Sequence, residues 1–236
     1  MKIADKTLVI TGANRGVGSA LVEEALRRGA KRVYAGTRSP LQPTDKRVTA
    51  VSIDVTNASQ VQRAASEIDA VDILINNAGI ALYDDLSKPE IIEQHLAVNL
   101  LGTLRITQAL LPRLRAANGA IVNVLSLAAL ATLPMIPAYS ISKAAASSMT
   151  QSFRALLARD GVTVHAAFLG PVDTEMSRGL EVPKASPESV AKGILDGVEN
   201  GHEDIFPDPA SHLMEEGWRA GVVKALEHQF AAFAPR

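Results

Sequence analysis

Four polar residues carry the chemistry this chain can offer, and two of them are spaced for one helix face. In Tyr139-Ser140-Ile141-Ser142-Lys143 the phenol and the amine are four positions apart, so a helix brings both to the same side. A phenol titrates near pH 10 and is a poor acid or base at neutrality, while an adjacent ammonium favours its ionised form. Tyr139 therefore reads as the proton donor to a carbonyl oxygen in one direction and the acceptor from an alcohol in the other, with Lys143 lowering its pKa. Ser126 comes thirteen residues before Tyr139, directly after the apolar run Ala120 to Leu125. A hydroxyl at the carboxyl end of a strand stands in the crevice where open α/β sheets bind ligands, and it can hydrogen-bond the same substrate oxygen. Asn99 stands in a long helical stretch that its low propensity does not favour.

A second constellation lies near the amino end, in Thr11-Gly12-Ala13-Asn14-Arg15-Gly16-Val17-Gly18. It follows a short apolar run and opens into helical periodicity. Glycines let a backbone turn sharply and approach a pyrophosphate, and the free N–H groups and dipole of a helix start favour its negative charge. Gly12, Asn14, Arg15, Gly16, Val17 and Gly18 are the candidate phosphate contacts. No Gly-Lys-Ser/Thr follows, so the segment is not the phosphate loop of an ATPase or GTPase.

Elements must exist to hold these groups, and the pattern of the chain supplies them. Short β-branched apolar runs, at Thr7 to Ile10, Arg32 to Ala35, Val48 to Ile53, Val71 to Ile75, Ala120 to Leu125, Val162 to Phe168 and Asp204 to Phe206, read as strands. Most lack strict alternation, as strands covered on both faces do. Helical periodicity occupies about Gly16 to Arg28, Ser59 to Ile68, Pro89 to Arg115, Tyr139 to Arg159, Pro187 to Glu199 and Ala210 to Phe230. Ser186-Pro187-Glu188 is a helix start, with a capping hydroxyl, a proline in the first turn and an early carboxylate. The alternation predicts an α/β fold: one doubly wound, mostly parallel sheet with helices on both faces, in a single domain over residues 1–236. In the tail, Leu213, Met214, Trp218, Val222, Val223, Leu226 and Phe230 recur at helical spacing, which predicts an amphipathic helix packed on its own chain or on a neighbour.

Composition narrows the chemistry. The 236 residues include no cysteine, which removes disulfides, thiolate metal sites and a cysteine nucleophile together. A net charge of -1 argues against a nucleic-acid partner, whose binding domains are strongly basic. The charge is uneven: the first forty residues carry +5 and the rest -6, a mild sign of an anion handled near the amino end. No apolar run approaches the 18 or so residues of a membrane helix, and the opening residues read as a strand entry, so no membrane association and a cytoplasmic location are expected. The five histidines show no metal-ligand spacing, and no catalytic metal is expected.

The spacing Gly-x-x-x-Gly-x-Gly after a threonine resembles the short-chain dehydrogenase/reductase family, and the resemblance extends in order over about residues 5–206. Asp54-Val55 matches the family's adenine contact. Asn76-Asn77-Ala78-Gly79 matches its Asn-Asn-Ala-Gly motif, with Asn77, Ala78 and Gly79 passing close to the nucleotide. Asn99, Ser126, Tyr139 and Lys143 match its catalytic tetrad, and Gly170-Pro171-Val172-Asp173-Thr174 matches its segment beside the nicotinamide. The resemblance implies that Asn99 sits at a backbone kink holding a water joined to Lys143. It also implies that Lys143 bonds the nicotinamide ribose and that the segment with Pro171, Val172 and Thr174 borders the ring, where Thr174, with Val172, is the candidate to hold the carboxamide.

The second strand ends Val33-Tyr34-Ala35-Gly36-Thr37-Arg38, with Thr37 where a carboxylate would hold a ribose 2′-hydroxyl. Arg38 follows and Arg15 stands in the glycine turn. Two guanidinium groups without a competing carboxylate favour a 2′-phosphate, hence NADP(H) as cofactor. Leu82, Leu127, Met135, Ile136 and Met176, beside Ser126 and Tyr139, predict a pocket for a small hydrophobic ketone, aldehyde or secondary alcohol. The small residues Ala144 to Ser148 allow close helix contact, and with the helix around Leu100 to Leu114 the resemblance implies a homo-oligomer. Two alternatives remain: a redox sensor that binds NADP(H) without turnover, and an isomerase or dehydratase of the longer-chain relatives, which share the tyrosine and lysine.

Overall fold

The computed structural model describes residues 1–234, and the sheet is built from runs the sequence marks as apolar. β1 (Thr7–Thr11), β2 (Arg32–Thr37), β3 (Val48–Ser52), β4 (Ile73–Asn76), β5 (Ala120–Ser126), β6 (Thr163–Leu169) and β7 (Asp204–Ile205) form one sheet in the order β3-β2-β1-β4-β5-β6-β7. Every pairing is parallel, from Thr7 opposite Arg32 at one side to Ala167 opposite Ile205 at the other. The order reverses between β1 and β4, so the carboxyl ends of these strands diverge and leave a crevice.

Successive residues of β1 serve opposite faces. Leu8 and Ile10 join the core under α1 (Gly16–Arg27) and α6 (Pro187–Glu199), while Val9 joins the core under α2 (Ala58–Glu67), α4 (Thr103–Ala116) and the end of α5 (Pro137–Leu157). Ser186 caps α6 as its sequence context predicts, accepting from Ser189 N–H at 3.1 Å.

The structure departs from the sequence reading in two places. The stretch expected as one helix from Pro89 to Arg115 is α3 (Pro89–His95), a π-helical turn over Leu96–Gly102, and then α4. Asn99 lies in the middle of that turn. The tail is likewise two helices, α7 (Pro209–Arg219) and α8 (Val222–Ala231), broken at Ala220-Gly221.

The amphipathic pattern of the tail is real but turned outward. Leu213, Val222 and Phe230 are 76%, 72% and 59% exposed, and only Trp218 packs inward, against Phe168. The body beneath α8 is polar, so α8 buries its charged face there. Lys224 bonds Asp204 at 2.9 Å and Glu227 at 3.0 Å, and Arg154 pairs with both Asp204 and Glu227. A buried charge left unpaired costs several kcal/mol, and this network removes that cost at the expense of leaving the apolar face in solvent. No helix among the described residues is long and apolar enough to cross a membrane.

Candidate active site

The glycine turn is stitched to the end of β4 by side chains from both. Thr11 Oγ1 accepts from the backbone N–H of Asn77 and of Ala78, each at 3.0 Å. Asn77 Nδ2 donates back to the carbonyls of Thr11, at 3.0 Å, and Gly12, at 3.2 Å. Gly12 and Gly16 hold φ of +65° and +54°, the left-handed region that suits glycine. At Gly18 the reason is space: a Cβ would stand 2.0 Å from the Gly12 carbonyl oxygen.

The loop therefore lies flat against α1, and Arg15, the residue before the helix, offers no side-chain cap. The N–H groups of Gly16, Val17 and Gly18 are thus first-turn donors without intrahelical acceptors. A cradle of backbone donors, kept open by positions where a side chain would clash, fits a dinucleotide pyrophosphate.

Beyond the turn, Thr37 is buried and its hydroxyl is committed to Ser39, donating to its carbonyl at 3.1 Å and accepting from its N–H at 3.2 Å. No carboxylate occupies that position, and the exposed Arg38 borders the same cleft. Asp54 accepts from Thr56 N–H at 2.9 Å and Thr56 Oγ1 at 2.7 Å. These bonds, led by the hydroxyl and helped by the charge of Arg38, hold its carboxyl below the usual range. Arg15 has a partner within the chain. It pairs across the cleft with Glu175, in the turn that follows Thr174.

At the other end of the cleft, α5 opens with Pro137, and its first turns place Tyr139 and Lys143 on one face. Lys143 is buried, donates to the Val124 carbonyl at 2.8 Å, and holds its Nζ 5.7 Å from the centre of the Tyr139 ring. Burial pushes the Tyr139 phenol up to about 12, opposed by a hydrogen bond with Ser126, and pushes the Lys143 ammonium down to about 8. At Tyr139 the loss of water outweighs the Ser126 hydrogen bond, while the Lys143 ammonium is engaged by the Val124 carbonyl. Ser126, at the end of β5, also accepts from Ala128 N–H at 3.1 Å.

Asn99 works from behind. Its Oδ1 accepts from Ile80 N–H at 2.9 Å, and its Nδ2 donates to the Ile80 carbonyl at 3.0 Å and to Ser142 Oγ at 2.9 Å. It thereby ties the loop after β4 to α5 one residue from Lys143. The π turn that presents it is pressed close to Val55, which a Cβ on Gly102 would meet at 2.6 Å. Deeper still, Asn76 donates to Asn123 at 2.8 Å and Asn123 to Thr150 at 2.9 Å, a buried polar chain joining β4, β5 and α5.

One cleft of about 1080 Å³ collects nearly every residue singled out from the sequence. Gly12, Asn14, Arg15, Gly16, Val17, Gly18, Arg38, Asp54 and Val55 border the end at the glycine turn with Asn77, Ala78 and Gly79; Ser126, Leu127, Met135, Ile136, Tyr139, Lys143, Pro171, Val172, Thr174 and Met176 border the other. Asn99 stands behind the wall. Leu82 is a correction: it does not border the cleft, although Ala81 and Tyr83 on either side of it do, and its N–H donates to His95 Nε2 at 3.0 Å. Tyr83, Leu133, Leu180 and Glu175 border the cleft and were not anticipated; only Glu175, a carboxylate directly after Thr174, carried a sequence signal. His95 was also passed over. It is fully buried, donates through Nδ1 to the Ile91 carbonyl at 2.7 Å, and meets the Tyr139 ring edge-on with centroids 6.3 Å apart.

Residues 6–184 match the family model described as short chain dehydrogenase. The chain belongs to the short-chain dehydrogenase/reductase family. Among solved structures, this short-chain dehydrogenase is similar to one from Burkholderia cenocepacia in complex with NADP: 38% identity, a TM-score of 0.89, and coverage of 97% of this chain and 98% of the other. It is 32% identical to a sorbitol dehydrogenase of Cereibacter sphaeroides over 208 residues, covering 82% of this chain and 80% of that one. It is 30% identical to an uncharacterized oxidoreductase of Staphylococcus saprophyticus, covering 83% of this chain and 92% of that one. Short-chain dehydrogenases are oxidoreductases that use NAD or NADP.

Proposed function

We propose that the protein is an NADP(H)-dependent oxidoreductase that interconverts a small hydrophobic ketone or aldehyde with its alcohol. The observation that carries this reading is one continuous cleft holding Tyr139, Lys143 and Ser126 at one end and, at the other, Arg38 beside a position where Thr37 replaces a carboxylate. The dinucleotide, when bound, supplies or accepts the hydride. The chain's own residues bind, orient and manage the proton.

Gly16, Val17 and Gly18 offer their N–H groups to the pyrophosphate. Arg38, joined by Arg15, faces the 2′-phosphate, and Asp54 and Val55 border the adenine. Thr174, with Val172, holds the nicotinamide carboxamide beside Pro171, and Lys143 holds the ribose. Ser126 donates to the substrate oxygen and places it against the Tyr139 hydroxyl, which gives up its proton in reduction and takes one in oxidation. Leu127, Leu133, Met135, Ile136, Met176 and Leu180 give the substrate an apolar enclosure.

Assembly into a homo-oligomer is part of the same proposal. Ile141, Ala144, Ser148 and Ser152 form an exposed stripe along α5, three of them small enough for close helix approach.

Following NADPH absorbance across a panel of ketones, aldehydes and alcohols tests the reading. Oxidation of NADPH by at least one carbonyl compound is expected. Tight NADPH binding with no turnover on any member would favour the redox sensor instead.

A further inference from the structure

Arg15 is a single guanidinium with two anionic claims on it. It leaves the glycine turn at the head of α1 and pairs with Glu175, in the short helical turn Glu175–Ser177 that follows β6. The two segments meet independently of that pair: a Cβ on Gly16 would stand 3.1 Å from the Thr174 methyl. The backbone carrying Glu175 is also held in place. Ser177 Oγ donates to the Val172 carbonyl at 2.6 Å, and Lys184 donates to the Ser177 carbonyl at 2.9 Å. Glu175 therefore stays within reach of Arg15, and its other oxygen lies 3.8 Å from Arg178.

Resting on the NADP(H) reading above, we propose that Glu175 is a specificity-determining residue that competes with the cofactor's 2′-phosphate for Arg15 and so limits the preference for NADP(H) over NAD(H). A guanidinium presents one forked donor set, and a carboxylate and a phosphate both match it. NAD(H) brings no 2′-phosphate and leaves the pair intact. NADP(H) must displace Glu175 to gain the second guanidinium, whereas Arg38 carries no such debt to Glu175. The Arg15 and Glu175 side chains are 67% and 55% exposed, so water screens their attraction. Exposed pairs of this kind correspond to a factor of about two to five in an equilibrium constant.

The test is the dissociation constants of NADP+ and NAD+ for the full chain, measured calorimetrically for the wild type, Glu175→Gln, Arg15→Gln, the double variant and Arg38→Asp. Glu175→Gln is expected to tighten NADP+ by about two- to fivefold and to leave NAD+ unchanged. Arg15→Gln is expected to weaken NADP+, and in its background Glu175→Gln should have no further effect on NADP+.

Three results would overturn the inference. Weaker NADP+ binding by Glu175→Gln would make the pair a clasp over the cofactor. Equal tightening of both dinucleotides, with or without Arg15, would make Glu175 a general repulsive charge. The NADP(H) reading itself fails separately, if neither Arg15→Gln nor Arg38→Asp alters the ratio of the two constants. If those two variants respond and Glu175→Gln does not, only the competition is refuted.

Discussion

Replacing Gly18 by alanine tests how the cofactor cradle is built. A Cβ there would stand 2.0 Å from the Gly12 carbonyl oxygen and 2.7 Å from Asn77 Nδ2. Carbon and carbonyl oxygen approach no closer than about 3.3 Å, so the turn must retreat by more than about 1 Å. Both obstacles are backbone or hydrogen-bonded amide, and neither swings aside cheaply. Overpacking of this kind costs about 1–3 kcal/mol. Displacing Gly12 also strains the Asn77 bonds to Thr11 and Gly12, each worth about 1 kcal/mol. Alanine's better helix propensity returns about 1 kcal/mol, leaving a net loss of about 1–4 kcal/mol. For a chain of this size that lowers Tm by roughly 3–15 °C. NADP+ affinity should fall with it, because the first-turn donors of α1 move with the turn. Thermal unfolding followed by circular dichroism, with calorimetric titration of NADP+, measures both. Gly217→Ala is the control: it lies in α7 with no atom within 4 Å of its Cβ position, and should stabilise by up to about 1 kcal/mol. If Gly18→Ala melted at or above the wild type and bound NADP+ as tightly, the account of the turn would be wrong.

Tyr139→Phe should retain NADPH binding and lose turnover by about 10²- to 10⁴-fold, read as kcat in the reductive assay; full activity would sink the proposed proton transfer. Arg38→Asp should move cofactor preference toward NAD(H) in parallel kinetics with both dinucleotides. Asn99→Leu removes a side chain that makes three hydrogen bonds and strands the Ile80 backbone groups, costing about 2–4 kcal/mol in urea unfolding, with activity falling further than folding alone explains. Lys143 is held at about 8 in the fold against an ordinary value of 10.5, so the unfolded chain binds more protons between those limits and stability rises with pH across that window. Lys143→Met should therefore abolish turnover yet stabilise the fold by up to about 3 kcal/mol at pH 7, a gain that shrinks toward pH 10 in denaturant titrations.

The strands and most helices were legible because their signal is local. β1, β4, β5 and β6 are mainly apolar runs, interrupted only by Asn123 in β5 and His165 in β6 apart from polar residues at their ends, and a parallel sheet covered on both faces marks its strands in this way. The break in the stretch from Pro89 to Arg115 was only partly legible: the low helix propensity of Asn99 and the kink implied by the family resemblance pointed to it, but not its form. The π turn is held by contacts in which Asn99 reaches Ile80 while Gly102 presses on Val55, partners 19 and 47 positions away. The tail shows the same limit from the other side. Its periodicity was readable, but periodicity says only that a helix has two faces. Which face turned inward depended on the charges of Arg154, Glu203 and Asp204 waiting on the body.

At the site, residue type and spacing alone marked the glycine turn, the tyrosine and lysine on one helix face, and the serine at a strand end. Those signals are chemical or fall within a few helical turns, and they survive without a fold. Tertiary structure decided the rest. It bonded the Leu82 backbone to His95, brought Glu175 against Arg15 across 160 positions of chain, and took enough water from Tyr139 and Lys143 to push their pKa values to about 12 and about 8. Desolvation and long-range charge pairing depend on what surrounds a group in space, and a linear order of residues does not specify those neighbours until the chain has folded.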